Sequence, residues 1–154
     1  MGGAPLGGGG TGGSGGGTLC DDSVGDPVSC VGADDSLCGT FAVDACNGVQ
    51  TVYKPAVAEA AAQCIVDLGP TDDCTAVYQC NQDALAGACP DSGADDLCAQ
   101  IVASCETAGN PTTAEECHGL VDGLNETGRG QVETCAVTDG CLYGRYSCPA
   151  GLGL

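Results

Sequence analysis

Fourteen cysteines in 154 residues decide what this chain can fold into. They stand at Cys20, Cys30, Cys38, Cys46, Cys64, Cys74, Cys80, Cys89, Cys98, Cys105, Cys117, Cys135, Cys141 and Cys148. The number is even, and the density of about 9% is that of a disulfide scaffold. Neighbouring cysteines are never closer than six positions apart. The chain therefore has no C-x-x-C and no helical i, i+3 or i, i+4 pair to converge two thiolates on one metal. The expected state is about seven disulfides, a structural rather than a metal-binding use of cysteine. Disulfides persist in oxidising compartments, so the expected location is extracellular or on a cell surface.

The rest of the composition makes such staples necessary. Ile, Leu, Val and Phe together number 27, there is no Trp, and the formal charge is −18. Such a chain normally buries too little apolar area to offset its conformational entropy. A bridge contributes about 2–4 kcal/mol by restricting the unfolded ensemble, so seven offset a thin core. The only cations besides one His are Lys54, Arg129 and Arg145, which argues against nucleic acid and anionic membrane as partners.

The cysteines also carry an internal repeat. "GADDLCAQIVASC" at 93–105 rewrites "GADDSLCGTFAVDAC" at 32–46, and the following cysteines match in order. Cys38, Cys46, Cys64, Cys74, Cys80 and Cys89 correspond to Cys98, Cys105, Cys117, Cys135, Cys141 and Cys148, and both sets end in Cys-Pro. Five of the six pairs are offset by 59 to 61 residues, and the third by 53. The expected organisation is a Gly-rich flexible linker (1–18), a Cys-containing loop (19–32), and two helical repeats (33–92 and 93–154). The fold class is all-α and disulfide-rich, with two tandem three-helix, six-Cys units.

Local signals place the helices. Asp34/Asp35 and Asp95/Asp96 stand where N-caps and dipole-favoured acids belong. Leu97, Ile101, Val102 and Cys105 share helical spacing, closed by Gly109 and Pro111. Thr112-x-x-Glu115 and Thr113-x-x-Glu116 are overlapping capping-box candidates, followed by an inner face of Cys117, Leu120, Val121 and Leu124. Pro55 suits the first position of a helix whose stripe is Val57, Ala60, Ala61, Cys64, Ile65 and Leu68, stopped by Gly69-Pro70. Thr71, Asp72 and Asp73 start a helix running to about Ala86. Its counterpart from Thr127 to Asp139 is weakened by Gly128 and Gly130. An up-down-up arrangement is consistent with bridges 38–74, 46–80 and 64–89, then 98–135, 105–141 and 117–148, leaving Cys20 to pair with Cys30.

Other chemistry is sparse. Cys117-His118 is the one Cys–His pair, and adjacent helical residues do not face each other. With a single His, no Ser-His-Asp set can be assembled. There is no phosphate loop or dinucleotide fingerprint, so neither a cofactor nor enzymatic activity is expected. The Asp-rich stretches at 21–26, 71–74 and 91–96 miss the Ca²⁺-loop pattern and read as caps and solvated turns. Asn125-Glu126-Thr127 is a glycosylation sequon, and Tyr143, Arg145 and Tyr146 in "CLYGRYSC" form a candidate contact surface.

The ending "LVDGLNETGRGQVETCAVTDGCLYGRYSCPAGL" (120–152) resembles cysteine-rich secreted or lipoprotein-type bacterial proteins, in which GL-x-x-x-GR-x-x-V-x-x-C precedes closely spaced cysteines ending in YSC. That resemblance implies location, with the Gly-rich segment following a lipid-modified residue where Met1 stands. "MGGAPLGGGG" has neither the basic nor the apolar region of a signal peptide, and no apolar run approaches the roughly 20 residues of a membrane helix, so an N-terminal lipid is the one membrane contact expected. A six-Cys helical unit also resembles the sterol-carrying elicitin type. The leading expectation is a non-enzymatic extracellular or cell-surface structural or interaction protein that assembles with itself. A small apolar-ligand carrier, lipid- or sterol-like in cargo, is the alternative, and thiolate storage of soft metal ranks third.

Overall fold

The computed structural model describes residues 20–33, 38, 40–70, 73–138 and 141. Among them it is helical: α1 (Phe41–Val52), α2 (Pro55–Leu68), α3 (Cys74–Ala86), α4 (Asp95–Thr107), α5 (Ala114–Val121) and α6 (Glu126–Glu133). Short 3₁₀ turns span Cys30–Ala33 and Ser92–Ala94, and a π-helical turn, Thr134–Thr138, continues α6. The Gly-rich stretch, Asp34, Asp35, Thr71 and Asp72 lie outside the described residues.

Several predicted signals act as read. Pro55 opens α2, and Gly69 ends it with φ 63°, a left-handed value that suits a residue without Cβ. The Asp73 carboxylate caps α3 by accepting from the Thr75 amide. Thr113 and Glu116 form a reciprocal capping box on α5, whereas Thr112 spends its hydroxyl on the Glu116 carboxylate. Asp95 and Asp96 sit within the first turn of α4 rather than at its cap, which is Ala94.

The α2 stripe needs one correction. Ala60 is exposed, and Ala58 and Ala62 are buried beside Val57, Ala61 and Ile65. Contact with α1 and with α3 explains this, because a helix packed on two sides buries a wider arc than one stripe.

One core runs through both halves. Tyr53, Ile65, Leu124, Val49, Val77 and Val121 are its largest fully buried side chains, and α1 packs on α6 while α3 packs on α5. The turn between α1 and α2 interlocks with the turn before α6. Tyr53 and Leu124 form an antiparallel bridge, the Lys54 amide donates to the Gly123 carbonyl at 2.9 Å, and the Asn125 amide donates to the Val52 carbonyl at 2.9 Å. Gly128 lies against the end of α1, where a Cβ would come within 2.3 Å of the Val52 carbonyl oxygen. The glycine that weakens α6 as a helix is what lets it approach α1.

The disulfides are Cys20–Cys89, Cys30–Cys46, Cys38–Cys74, Cys64–Cys80, Cys98–Cys117 and Cys105–Cys141, and Cys135 is also oxidised. Of the expected pairs, 38–74 and 105–141 are present. The others differ for structural reasons. Cys38 precedes α1 and does not share a helix face with Cys46. Cys46 is met by Cys30, because the 20–33 segment lies along the first helices: the Gln50 side chain bonds both the amide and the carbonyl of Val28, and the Ala56 amide donates to the Asp22 carbonyl. The same segment carries Cys20 to Cys89 instead of Cys30. Cys64 pairs with Cys80 across α2 and α3, and Cys98 with Cys117 across α4 and α5. The two sets of matched cysteines thus pair differently. All eight cysteines up to Cys89 are bridged among themselves, so no disulfide joins residues 1–92 to residues 93–154.

Candidate functional site

Two of the three Lys/Arg side chains converge on one carboxylate between the halves. Asp91, in the turn after Cys89, meets the Lys54 ammonium at 2.8 Å and the Arg129 guanidinium at 2.5 Å. Lys54 also reaches Asp22 at 3.4 Å, and that carboxylate accepts the Cys89 amide at 3.1 Å. Each of these four side chains is less than 30% exposed. The bonds from Lys54 and then Arg129 hold the Asp91 carboxyl far below the usual carboxylate range. An N-terminal segment, a helix N-cap, an interhalf turn and α6 are thereby fastened at one point. The Tyr53 hydroxyl is buried without a hydrogen-bond partner, and burial pushes its phenol above the usual range.

A second arrangement lies in the C-terminal half. α4, α5 and the α6–π continuation enclose a cavity of about 170 Å³ lined by Ile101, Cys105, Cys117, Val132, Ala136 and Cys141. Those six residues are buried, whereas Thr112, Glu116 and Leu120 on its rim are partly or fully exposed. Pockets for drug-sized ligands run to about 300–1,000 Å³, so this one is too small for the sterol-sized cargo that the elicitin resemblance implied.

His118 lies beside the bridged Cys117 and makes no dyad with it. Its Nδ1 lies 2.8 Å from Asp122 and its Nε2 3.6 Å from Asp95 at the start of α4. The bond to Asp122 is the chief cause of its raised pKa, above the ordinary 6.5.

The predicted site residues fall as follows. All thirteen described cysteines are in disulfides, and no group of three or more metal-ligating side chains occurs among the described residues. A bridged sulfur is not a thiolate ligand, which removes the basis for soft-metal storage there. Asn125 caps α6 by accepting from the Gly128 amide, while its Nδ2, the atom a glycan would join, donates to the Thr51 and Tyr53 carbonyls. Glycan attachment replaces one of the two Nδ2 hydrogens and so would break at least one of those bonds. Cys148, Tyr143, Arg145 and Tyr146 lie outside the described residues. The Asp91 clamp was not foreseen, although the scarcity of Lys and Arg was its signal: in a chain this acidic, each cation has carboxylates to choose from. Nothing in the periodicity marked the cavity, because its walls combine one or two residues from each of three successive helices with Cys141 beyond them. No helix among the described residues is long and apolar enough to cross a membrane. No protein-family model, curated protein or solved structure matches the chain.

Proposed function

We propose that the chain is a non-enzymatic structural or interaction module acting outside the cytosol or on the cell surface, where its rigidity is its contribution. The observation that carries this reading is the complete oxidation of the thirteen described cysteines within one helical body. Such a framework is built and kept in an oxidising compartment. Self-association through the Tyr143, Arg145 and Tyr146 end belongs to the same reading and is supported by the concentration of rare residue types there.

Alkylation and intact mass before and after reduction, on protein recovered from each cell fraction, test the location. Fully blocked thiols in an exported or surface fraction support it, and free thiols in a cytosolic pool overturn it. Light scattering at high salt, where the −18 charge is screened, tests assembly. Concentration-dependent mass that a Tyr143→Ser, Tyr146→Ser variant loses supports it, and a monomer throughout overturns it.

A further inference from the structure

We infer that Cys135 and Cys148 form a seventh bridge, and that it closes residues 142–147 into a loop through which a second copy of this chain docks. The pairing follows from what the other cysteines do. Six bridges use twelve of the fourteen, Cys135 is oxidised, and no described cysteine is free, so Cys148 is the one partner left within the chain. The repeat points the same way. Cys148 matches Cys89, which is met by Cys20 from the segment preceding its unit. Cys20 and Cys30 are both spent in the first half, so the end of the second half turns back on itself. The fold holds the start of that return in place. The Ser104 hydroxyl donates to the Ala136 carbonyl at 3.1 Å, and the next residue of α4, Cys105, is bridged to Cys141 with Cα atoms 4.8 Å apart. The backbone beside Cys135 and Cys141 itself are thus held at one turn of α4. The seven residues from Cys141 to Cys148 reach at most about 25 Å, ample for the return. Forming the bridge joins the two sulfurs, releases both thiol protons and passes two electrons to an oxidising disulfide of the compartment, which leaves as two thiols.

The docking half rests on the self-association reading above and adds what makes that surface competent. A loop fastened at Cys141 and at Cys148 presents Tyr143, Arg145 and Tyr146 with little left to order on contact. Tyr, Arg, Gly and Ser are also the residue types that recognition loops use. Lys54 and Arg129 are occupied at Asp91, so Arg145 is the remaining one of three, and a second copy of net charge −18 supplies carboxylates for it.

Cleavage of the unreduced chain after Glu133, Asp139 and Arg145 tests the bridge. Residues 134–139 hold Cys135 alone and residues 146–154 hold Cys148 alone, and the two should run as one mass that separates on reduction. Either fragment free, or joined to another cysteine, overturns the bridge. Light scattering of the Cys135→Ser, Cys148→Ser double variant at high salt tests the docking. The expected result is unchanged helical circular dichroism with self-association weakened by at least about tenfold. If that variant does not fold, cleavage of the wild-type chain after Arg145 alone opens the loop with every bridge intact and should weaken association as much. Association that survives the opened loop overturns the docking role. A wild-type chain that stays monomeric overturns both that role and the self-association reading, while the fragment mass decides the bridge by itself.

Discussion

A carboxylate shared between Lys54 at 2.8 Å and Arg129 at 2.5 Å cannot be removed without leaving two cations short of a partner. Asp91→Asn should cost about 1–3 kcal/mol at neutral pH, between the values for exposed and buried pairs. The pH dependence has a definite sign. A carboxyl whose folded pKa is depressed contributes stability above its unfolded pKa and loses it as pH falls towards the folded value. The gap between wild type and Asp91→Asn, read from guanidinium midpoints with disulfides intact, should be full above about pH 5 and shrink below about pH 4. Gly128 is constrained by space. Gly128→Ala would press a methyl on the Val52 carbonyl and should destabilise by about 1–3 kcal/mol, despite the higher helix propensity of Ala. An unchanged or raised Tm would show that α6 moves away at little cost.

Among elements, the seam where the α1–α2 turn meets the turn before α6 depends on Asn125. Its side chain caps α6 and donates to two carbonyls of the opposite turn, so Asn125→Ala should cost about 1–3 kcal/mol. Asn125→Asp, which keeps the cap and loses both donors, should fall between. Between α4 and α5, His118 faces Asp122 and Asp95. A His with a raised folded pKa contributes stability that is complete below pH 6.5 and is lost as pH rises through the folded value. Wild-type Tm should therefore fall between about pH 6 and pH 8.5 by more than that of His118→Gln; equal slopes would remove the clasp. Element positions were legible because they rest on neighbours: Pro55, Gly69, Asp73 and the Thr113–Glu116 box act over a few residues. The bridges were legible only in part. Spacing cannot show that the 20–33 segment lies along α1 and α2, yet that placement gives Cys46 and Cys89 their partners. The rim of the cavity was visible as a capping box, while its walls come from four separate segments and share no period.

For the whole molecule, covalent and non-covalent order divide the chain differently. The core is continuous, but every bridge stays on its own side of residue 92. A protease site inserted after Pro90 should therefore give two fragments that part on a denaturing gel without reductant. One inserted within α2 should give fragments that part only after reduction, because Cys20–Cys89 and Cys38–Cys74 span it. Fragments that stay together after the first cut would show a bridge across the halves. The same network limits reach. From Cys20 the shortest covalent path crosses its bridge to Cys89, follows the backbone to Cys105 and crosses again to Cys141. That path measures about 65 Å fully stretched, against about 400 Å for the same segment unbridged. A module anchored at one end and pulled at the other would yield first at the Asp91 clamp and the Asn125 seam, then stop short, a strap with a fixed amount of slack.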